Sequence, residues 1–314
     1  MSATPATQMQ IFDRALHARR RARAAAGFEN HDFLIRRVAD EFADRLAAVT
    51  RAFPLALDLG SHRGALALAA AEPGKIAGKI GRVVSADLSP AMLAGGTGLR
   101  IAADEERLPF RDGSFDLVAS ALSLHWVNDL PGALIQIRRA LKPDGLFIGA
   151  MFGGETLIEL RQSLAEAEIE CEGGLSPRVS PFADLRDLGA LMQRAGFALP
   201  VVDTDRVTVR YANLFRLMAE LRGMGETNAL IERRRAPLKR GTLARAAEIY
   251  AEKFGLPDGR IEATFEIVMM TGWAPHESQQ KPLKPGSATT KLADALGTSE
   301  RPAGEQPAGE KTPR

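Results

Sequence analysis

The sequence predicts an α/β fold built on a mainly parallel, seven-stranded sheet with helices on both faces. Short, continuous apolar runs alternate with helical stretches from Leu55 onwards, which is typical of strands that are buried on both faces. Polar residues gather at the ends of successive strands, where sheets of this class bind ligands. Hydrophobic residues make up 45% and charged residues 25% of the 314 residues, which is an ordinary globular composition.

The first half of the chain supplies five predicted strands and three predicted helices. Residues 31–50 repeat apolar side chains at near-helical spacing, with charged residues between them. Asp129 is a predicted helix cap, because Pro131 follows it at a position that favours the first helical turn. Turn residues at 142–145 end this helix. The predicted strands are 55–59, 83–86, 99–102, 115–119 and 146–152, and the remaining helix is 65–71.

The second half of the chain carries a predicted lid. Two alternating segments are predicted strands, a half-exposed one at 201–211 and a last one at 263–271, which together add an antiparallel edge to the parallel sheet. Helical insertions at about 154–182 and 212–260 are predicted to cover the carboxyl edge of the sheet, and ordinary packing against the domain is the alternative. The predicted helices are 156–170, 184–195, 214–221 and 243–254.

The chain divides into three predicted parts. Residues 1–30 form a basic N-terminal segment, 31–272 a single domain, and 273–314 a tail that we expect to be disordered after about residue 284. Five arginines lie between residues 11 and 26, with His17 among them. We expect them to form a solvated helix face, and the alternative is a surface for an acidic or phosphate-bearing partner.

Charge, cysteine content and hydropathy exclude several classes of protein. A formal net charge of +2 argues against nucleic acid as a partner. A single cysteine, Cys171, rules out an intramolecular disulfide and a thiolate zinc cluster. No apolar run reaches the roughly 18 residues that span a bilayer, and the first residues lack the apolar core of a secretion signal. These features predict a cytoplasmic protein, with peripheral association at the inner face of the membrane left open.

A glycine-bearing turn follows the first predicted strand and opens a helix. Gly60 and Gly64 allow a tight turn in which the backbone approaches a ligand, and the helix that follows directs its amino terminus toward that ligand. Asp58 and Ser61 belong to the same turn. A strand that ends in this way is common by chance, so its context decides its meaning; a simple turn-capping role for Asp58 is the alternative.

Acidic residues end the next two predicted strands. Asp87, followed by Leu88, can accept two hydrogen bonds from a ribose diol. Asp104 or Glu105 can accept a hydrogen bond from an adenine amino group. Taken singly, these carboxylates are equally compatible with helix capping or surface charge. Their order at three successive strand ends predicts one crevice for a nucleoside-bearing cofactor at the carboxyl edge of the sheet.

Several longer motifs give the chain a family resemblance over nearly all of residues 11–283. The most specific are the runs 122–131 (LSLHWVNDLP), 174–177 (GLSP) and 276–279 (HESQ). Supporting runs are 11–14 (IFDR), 103–105 (ADE), 141–145 (LKPDG), 147–154 (FIGAMFGG), 173–177 (GGLSP), 194–197 (RAGF), 203–205 (DTD) and 224–226 (MGE). The chain resembles the class I S-adenosylmethionine-dependent methyltransferases, and within them the bacterial relatives of a mitochondrial complex I assembly factor family.

The resemblance implies a Rossmann-like methyltransferase fold and S-adenosylmethionine as the cofactor. It also implies hydroxylation of an arginine on a complex I iron–sulfur subunit, the activity assigned to that family. The implied cofactor-binding residues are Asp58, Gly60, Ser61, Gly64, Asp87, Leu88, Asp104, Glu105 and Ser120. The chain departs from the family pattern at Ser61 and His62, which replace a cysteine and a glycine of the first glycine-rich motif. The His62 side chain either reaches the methionine carboxylate or crowds the cofactor.

His125 and Trp126, just beyond the fourth predicted strand, are the candidate catalytic residues. In a methyl transfer, His125 is the best-placed base for a nucleophile that arrives protonated, and Trp126 can exclude water or stack on a substrate. Packing of both side chains against the edge of the sheet is the alternative. None of the five histidines begins an H-x-D or H-x-E pair, so the sequence yields no iron site, and we predict no metal.

Three functions stay open from the sequence. The first is a hydroxylase, or another modifier, of an arginine on a complex I subunit. The second is an S-adenosylmethionine-dependent methyltransferase for a small molecule or an acyl-carrier substrate, as the related biotin-pathway enzymes suggest. The third is a non-catalytic assembly chaperone for complex I.

Overall fold

The computed structural model describes residues 10–71, 74, 76–182, 185–279, 294 and 297–298. Contacts divide the chain into two units, Met1–His276 and Glu277–Arg314, and the features below belong to the first. Of the second unit, the structure describes only residues 277–279, 294, 297 and 298. The predicted disorder after residue 284 therefore lies almost entirely outside the described residues. No helix in the described part of the chain has the length and apolar character needed to cross a membrane.

Seven strands and nine α-helices make up the described part of the chain. The strands are β1 Phe53–Leu59, β2 Ile80–Asp87, β3 Leu99–Ala102, β4 Phe115–Ala121, β5 Leu141–Phe152, β6 Ala198–Tyr211 and β7 Ile261–Trp273. The helices are α1 Arg14–Ala24, α2 Phe33–Ala48, α3 Ala65–Ala71, α4 Pro90–Leu93, α5 Leu130–Ala140, α6 Ile158–Glu172, α7 Leu185–Arg194, α8 Leu214–Met224 and α9 Arg240–Phe254. Short 3₁₀ turns cover Ala25–Asn30 and Leu124–Trp126.

All seven strands join one sheet in the order β3-β2-β1-β4-β5-β7-β6. The first five pair in parallel, whereas β7 pairs antiparallel with both β5 and β6. This arrangement confirms the predicted mainly parallel sheet with a late antiparallel addition. The chain reverses its direction of winding between β1 and β4, and in open α/β sheets ligands bind at the carboxyl ends of the strands beside such a reversal.

Two apolar layers enclose the sheet. One layer packs α2, α6, α8 and α9 against one face, with Phe42 and Leu46 of α2 fully buried there. The other layer packs α5 and α7 against the opposite face through residues such as Leu134 and Leu188. Every residue of β4 is buried, as expected for the central strand of a sheet covered on both faces. Burial alternates along β6, as its alternating sequence predicts.

The predicted turn at residues 142–145 lies within β5 as an irregularity. Asp144 has a φ of +59°, and the register against β4 shifts between Phe115 and Leu117. The segment still pairs with its neighbour, because the Asp144 amide donates to the Ala274 carbonyl at 3.1 Å and the Ala274 amide donates to Gly145 at 2.8 Å. These bonds keep the turn residues inside the strand.

Candidate active site

The glycine-bearing turn between β1 and α3 lies at the base of the crevice at the carboxyl edge of the sheet. Gly60 and Gly64 have φ values of +66° and +82°, which favour glycine. A side chain at Gly60 would also collide with Ser123, two residues beyond β4. The Ser61 amide donates to the Ala86 carbonyl at 3.0 Å, which holds the turn against β2. The turn therefore brings backbone close to the polar residues that end β2 and β4.

Asp87 ends β2 and is fully buried at the centre of the crevice. Its Oδ2 accepts a hydrogen bond from the His62 amide at 2.9 Å, and its Oδ1 accepts one from the Ser89 amide at 2.8 Å. The Arg21 guanidinium pairs with both carboxylate oxygens, through Nη2 to Oδ2 and through Nε to Oδ1 at 3.3 Å. Arg21 thus occupies the acceptor sites that a ribose diol would use, and Leu88 lies half-buried beside them.

Asp104 and Glu105 follow β3 and differ in exposure. Glu105 is buried, and its Oε1 accepts a hydrogen bond from Ser123 Oγ at 2.6 Å. Asp104 is partly exposed, and its Oδ1 accepts a hydrogen bond from the Glu106 amide at 2.9 Å. Arg14 forms ion pairs with both carboxylates, at 2.7 Å from Asp104 Oδ1. The acceptors predicted for an adenine amino group are therefore present and are held by a second arginine.

Buried polar atoms without partners cluster at the same edge. In the described structure they include Asp58 Oδ2, Ser61 Oγ, His62 Nδ1 and Ser120 Oγ. Buried polar groups in folded proteins are almost always hydrogen-bonded, to protein, to water or to a ligand. This cluster is therefore the part of the crevice in which a polar ligand would find free donors and acceptors.

Burial, and then the neighbouring charge of Asp87, raises the pKa of Asp58 to about 7. One oxygen of Asp58 accepts a hydrogen bond from the Leu66 amide, which stabilises the ionised form only in part. Asp58 is therefore half protonated near neutral pH. A cationic ligand beside it would favour the carboxylate form and release the proton.

The Asp58→Asn variant is expected to become more stable relative to the wild type as the pH rises from about 4 to 7. The folded wild type holds a proton on Asp58 that the unfolded chain releases near pH 4, so its stability falls through this window. The difference should increase by at most about 4 kcal/mol across this window. Urea unfolding at a series of pH values measures it. Asp40→Asn, at an exposed position on α2, is the matched control, and a difference for Asp58→Asn that does not vary with pH would contradict the assignment.

Helix α1 lies across the crevice, contrary to the expectation of a solvated helix face. Arg14, His17 and Arg21 are spaced three and four residues apart, which places them on one face of the helix. Both His17 and Arg21 are buried. The His17 ring stacks on Trp126, with centroids 4.6 Å apart, and burial together with the charges of Arg21 and Arg14 lowers the pKa of His17 well below its usual value. The helix thus sets two cations and a neutral ring over the carboxylates of the sheet edge.

The His62 side chain fills part of the glycine-bearing turn. Its ring is buried and stacks on Phe28 at a centroid distance of 5.2 Å. Its Nε2 lies 3.0 Å from the Ala121 carbonyl, so Nε2 carries the hydrogen, and Nδ1 has no partner in the described structure. Burial and the charge of Arg21 lower the pKa of His62 well below its usual value, so the ring is neutral. His62 packs into the fold and leaves one bare nitrogen as an acceptor.

His125 and Trp126 converge on a carboxylate, that of Glu226. Trp126 Nε1 donates to Glu226 Oε2 at 2.9 Å, and His125 Nε2 lies 3.0 Å from the same oxygen. Glu226 directly follows Gly225, whose φ of +82° ends α8. Both hydrogen bonds fall on Oε2, which leaves Oε1 for another donor. The structure therefore brings the two predicted catalytic residues together with an acid that the sequence analysis did not select.

A cavity of about 850 Å³ is lined in part by Trp126 and Glu226. The two segments that the sequence analysis predicted as a lid contribute to its walls, together with α1. Its apolar lining includes Phe152, Leu157, Leu160, Phe182 and Phe265, and its polar lining includes Glu226 and several arginines. Cavities of this size and composition accommodate substrates or large ligands. Among the described residues, no group of three or more potential ligands that could hold a metal ion is found.

The fold and the crevice together define a class I methyltransferase-type α/β protein, and the comparisons agree. Residues 57–149 match the family described as methyltransferase domain. The YcgJ protein of Bacillus subtilis covers 76% of this chain at a TM-score of 0.51 and 16% identity, with 98% of that protein covered. Phosphoethanolamine N-methyltransferase 2 of Haemonchus contortus, solved with S-adenosyl-L-methionine, covers 80% of this chain at a TM-score of 0.50 and 18% identity, with 57% of that protein covered. At these identities the likeness concerns the fold alone.

The chain belongs to the family of the arginine-hydroxylase NDUFAF5. It is 47% identical to the human mitochondrial protein over 300 residues, which cover 93% of this chain and 85% of that protein. It is 45% identical to the Danio rerio protein over 293 residues, covering 91% and 89%. The malonyl-[acyl-carrier protein] O-methyltransferase of Halorhodospira halophila is a more distant relative, 36% identical over 272 residues that cover 84% of this chain and 89% of that enzyme.

The residues of the crevice fit the chemistry of S-adenosylmethionine. That molecule carries a ribose diol, an adenine amino group, and a methionine end with an ammonium and a carboxylate. Asp87 and Asp104 are acceptors for the first two, and Asp58, with one free buried oxygen and a raised pKa, is an acceptor for a cation. The hydroxyls of Ser61 and Ser120 are buried without partners in the described structure. These carboxylates and hydroxyls are therefore suitable for binding S-adenosylmethionine, although α1 covers them.

Two features of the site escaped the sequence analysis. The spacing of Arg14, His17 and Arg21 would have indicated that α1 has a face able to approach acidic residues. Glu226 gave a weaker signal, because a single acid after a helix is usually a solvated residue. Only the fold brings it beside His125 and Trp126, which are 101 and 100 residues earlier in the chain.

Proposed function

We propose that this protein binds S-adenosylmethionine in the crevice at the carboxyl edge of the sheet and modifies an arginine side chain of a protein substrate. We propose hydroxylation as the modification, because NDUFAF5 relatives that align over most of the chain are named arginine hydroxylases. Hydroxylation inserts one oxygen atom of dioxygen into a C–H bond, and the other oxygen atom leaves as water after taking up two electrons from a donor and two protons. The substrate we propose is an iron–sulfur subunit of respiratory complex I, met in the cytoplasm at the inner face of the membrane.

For the cofactor, we propose roles that follow from the position of each side chain. Asp87 accepts the ribose hydroxyls, Asp104 with Glu105 faces the adenine, and Asp58 faces the ammonium group. Ser61 and Ser120 supply hydroxyls toward the methionine end, and Gly60 and Gly64 allow close approach of the backbone. When bound, the cofactor supplies a cationic sulfonium centre with an electrophilic methyl group. Because Arg21 and Arg14 hold the carboxylates in this structure, we infer that α1 shifts when the cofactor binds.

The proposal that the substrate residue is an arginine depends on the Glu226 carboxylate, which lines the cavity. Glu226 is the one acidic residue among the described residues that line this cavity. Trp126 and His125 fix Oε2, so the carboxylate is oriented before a substrate arrives. A guanidinium donates hydrogen bonds to a carboxylate in a planar, charge-assisted arrangement. Glu226 is therefore the group we assign to binding the substrate arginine.

A second candidate function is methyl transfer to an acyl-carrier substrate. The 36% identity to a malonyl-[acyl-carrier protein] O-methyltransferase favours it. His125 Nδ1 has no partner in the described structure, so it can accept a proton from a nucleophile that arrives protonated. In this alternative, the cavity holds the acyl group.

The two functions are separated by the mass of the product. Purified protein is incubated with S-adenosylmethionine, dioxygen, a reductant, and either the complex I iron–sulfur subunit or malonyl-acyl carrier protein. We expect the subunit to gain the mass of one oxygen atom on a single arginine. A gain of CH₂ on either substrate would support methyl transfer. Stable binding of the subunit with no change in its mass would overturn the enzymatic proposal and favour an assembly chaperone.

A further inference from the structure

Arginines dominate the polar lining of the large cavity. They are Arg20, Arg23, Arg178, Arg222, Arg233 and Arg234. Three of these side chains are neutralised by carboxylates outside the cavity: Arg178 by Glu168, Arg234 by Glu172, and Arg233 by Asp13 at 3.5 Å. The charge of the cavity is therefore set by the other three.

Arg20, Arg23 and Arg222 line the cavity and form no ion pair with a carboxylate in the described part of the chain, and we call these three side chains the arginine rim. Arg23 and Arg222 are exposed at the cavity, and Arg20 is half-buried with Nη1 unpaired. Partial burial, followed by the charges of Arg233 and Arg23, lowers the pKa of Arg20, and the charge of Asp13 opposes this shift only in part. Like charges that line one cavity repel one another, and an anion placed among them relieves the repulsion.

The cavity therefore offers two kinds of charge to a ligand. Glu226 provides one anionic site beside Trp126 and His125. The arginine rim provides three cationic groups in the lining of the same cavity, and apolar side chains such as Leu160 and Phe265 contribute to that lining. An isolated arginine side chain would be attracted to Glu226 and repelled by the rim. In a segment that has carboxylates beside its arginine, the arginine can pair with Glu226 and the carboxylates can pair with the arginine rim.

We propose that the substrate is an acidic protein segment, in which aspartates or glutamates flank the arginine and pair with Arg20, Arg23 and Arg222. This inference rests on the proposed function, because it assigns the surroundings of the arginine that Glu226 receives. The arginine rim would select a substrate arginine by the charge of the residues beside it. Unlike charges across an interface favour one partner, and like charges disfavour others.

The test is fluorescence anisotropy with three labelled peptides that share one apolar sequence and one central arginine. The arginine is flanked by aspartates in the first peptide, by asparagines in the second and by lysines in the third. We expect the aspartate peptide to bind about tenfold or more tightly than the asparagine peptide at low salt, and the lysine peptide to bind least. The difference should shrink as salt is added. Equal affinity of the aspartate and asparagine peptides would overturn the proposal.

Variants locate the effect on the protein. Arg23→Gln and Arg222→Gln change exposed side chains, so their folding should be intact, and each should reduce the preference for the aspartate peptide several-fold. Arg19→Gln is the matched control, because Arg19 is an exposed residue of α1 that does not line the cavity. An equal loss in Arg19→Gln would show that general charge, and not the arginine rim, causes the preference.

A fourth peptide distinguishes failure of this inference from failure of the proposed function. It keeps the aspartates and replaces the central arginine with glutamine. If this peptide binds tightly to the wild type and weakly to the rim variants, the preference for acidic segments is supported and the proposal of an arginine substrate is overturned. A single-stranded RNA that binds more tightly than the aspartate peptide, through the same arginines, would overturn the assignment to a protein segment.

Discussion

Replacing Arg21 with alanine is expected to lower the free energy of unfolding by about 3–5 kcal/mol when no ligand is present. Arg21 and Asp87 are almost completely buried and form an ion pair at the centre of the crevice. Removal of the guanidinium leaves Asp87 as a buried carboxylate that retains only two backbone donors, from His62 and Ser89. A buried charge without its partner is among the largest single-residue penalties in folded proteins.

Urea unfolding at neutral pH measures this effect. Arg19→Ala on the same helix is the control, because Arg19 is exposed and its replacement should change the free energy of unfolding by no more than about 0.5 kcal/mol. Equal stability of the Arg21→Ala and Arg19→Ala variants would show that the ion pair between α1 and β2 contributes little in solution. It would also remove the reason for treating α1 as a competitor for the crevice.

The Glu226→Gln variant is expected to bind the arginine-containing substrate about 30-fold or more weakly, and to modify it correspondingly slowly. The substitution keeps the size of the side chain and an oxygen that can still accept from Trp126 Nε1. It removes the negative charge that pairs with the guanidinium. Loss of one partner from a buried, hydrogen-bonded charge pair typically costs about 2–5 kcal/mol.

Peptide anisotropy and product mass measure the two consequences separately. Glu232→Gln is the matched control, because it removes the same charge from an exposed residue a few positions further along the chain. A lysine in place of the substrate arginine should also bind less tightly, since an ammonium lacks the planar pair of donors. Unchanged binding and turnover in Glu226→Gln would exclude this residue as the site for the arginine.

The fold followed from the sequence because its signals are local. Continuous apolar runs predicted the buried strands, and the bounds of β3 and α3 agree with the predicted 99–102 and 65–71. Asp129 caps α5 as predicted, with its side chain accepting from the Gly132 amide. The turn residues at 142–145 misled the prediction of β5, because pairing with the segment after β7 keeps them in the strand.

The candidate site depended more on long-range contacts, and its prediction was incomplete for that reason. Acidic residues at successive strand ends could be recognised, because the carboxyl ends of parallel strands must meet at one edge. The position of α1 over that edge could not be recognised. The sequence of a basic amphipathic helix indicates that it can pair with acidic residues, but it does not indicate where in the fold the helix packs. The sequence analysis did not identify Glu226 for the same reason, because its partners His125 and Trp126 are about a hundred residues away in the chain.

The central claim is that S-adenosylmethionine binds at Asp87, in competition with Arg21. Calorimetric titration of the cofactor into the wild type, Arg21→Ala and Asp87→Ala tests it most directly. We predict micromolar binding to the wild type, about tenfold or more tightening in Arg21→Ala, and a loss of about 1–3 kcal/mol in Asp87→Ala. Binding to Asp87→Ala at wild-type strength, or no binding to either the wild type or Arg21→Ala, would contradict the account.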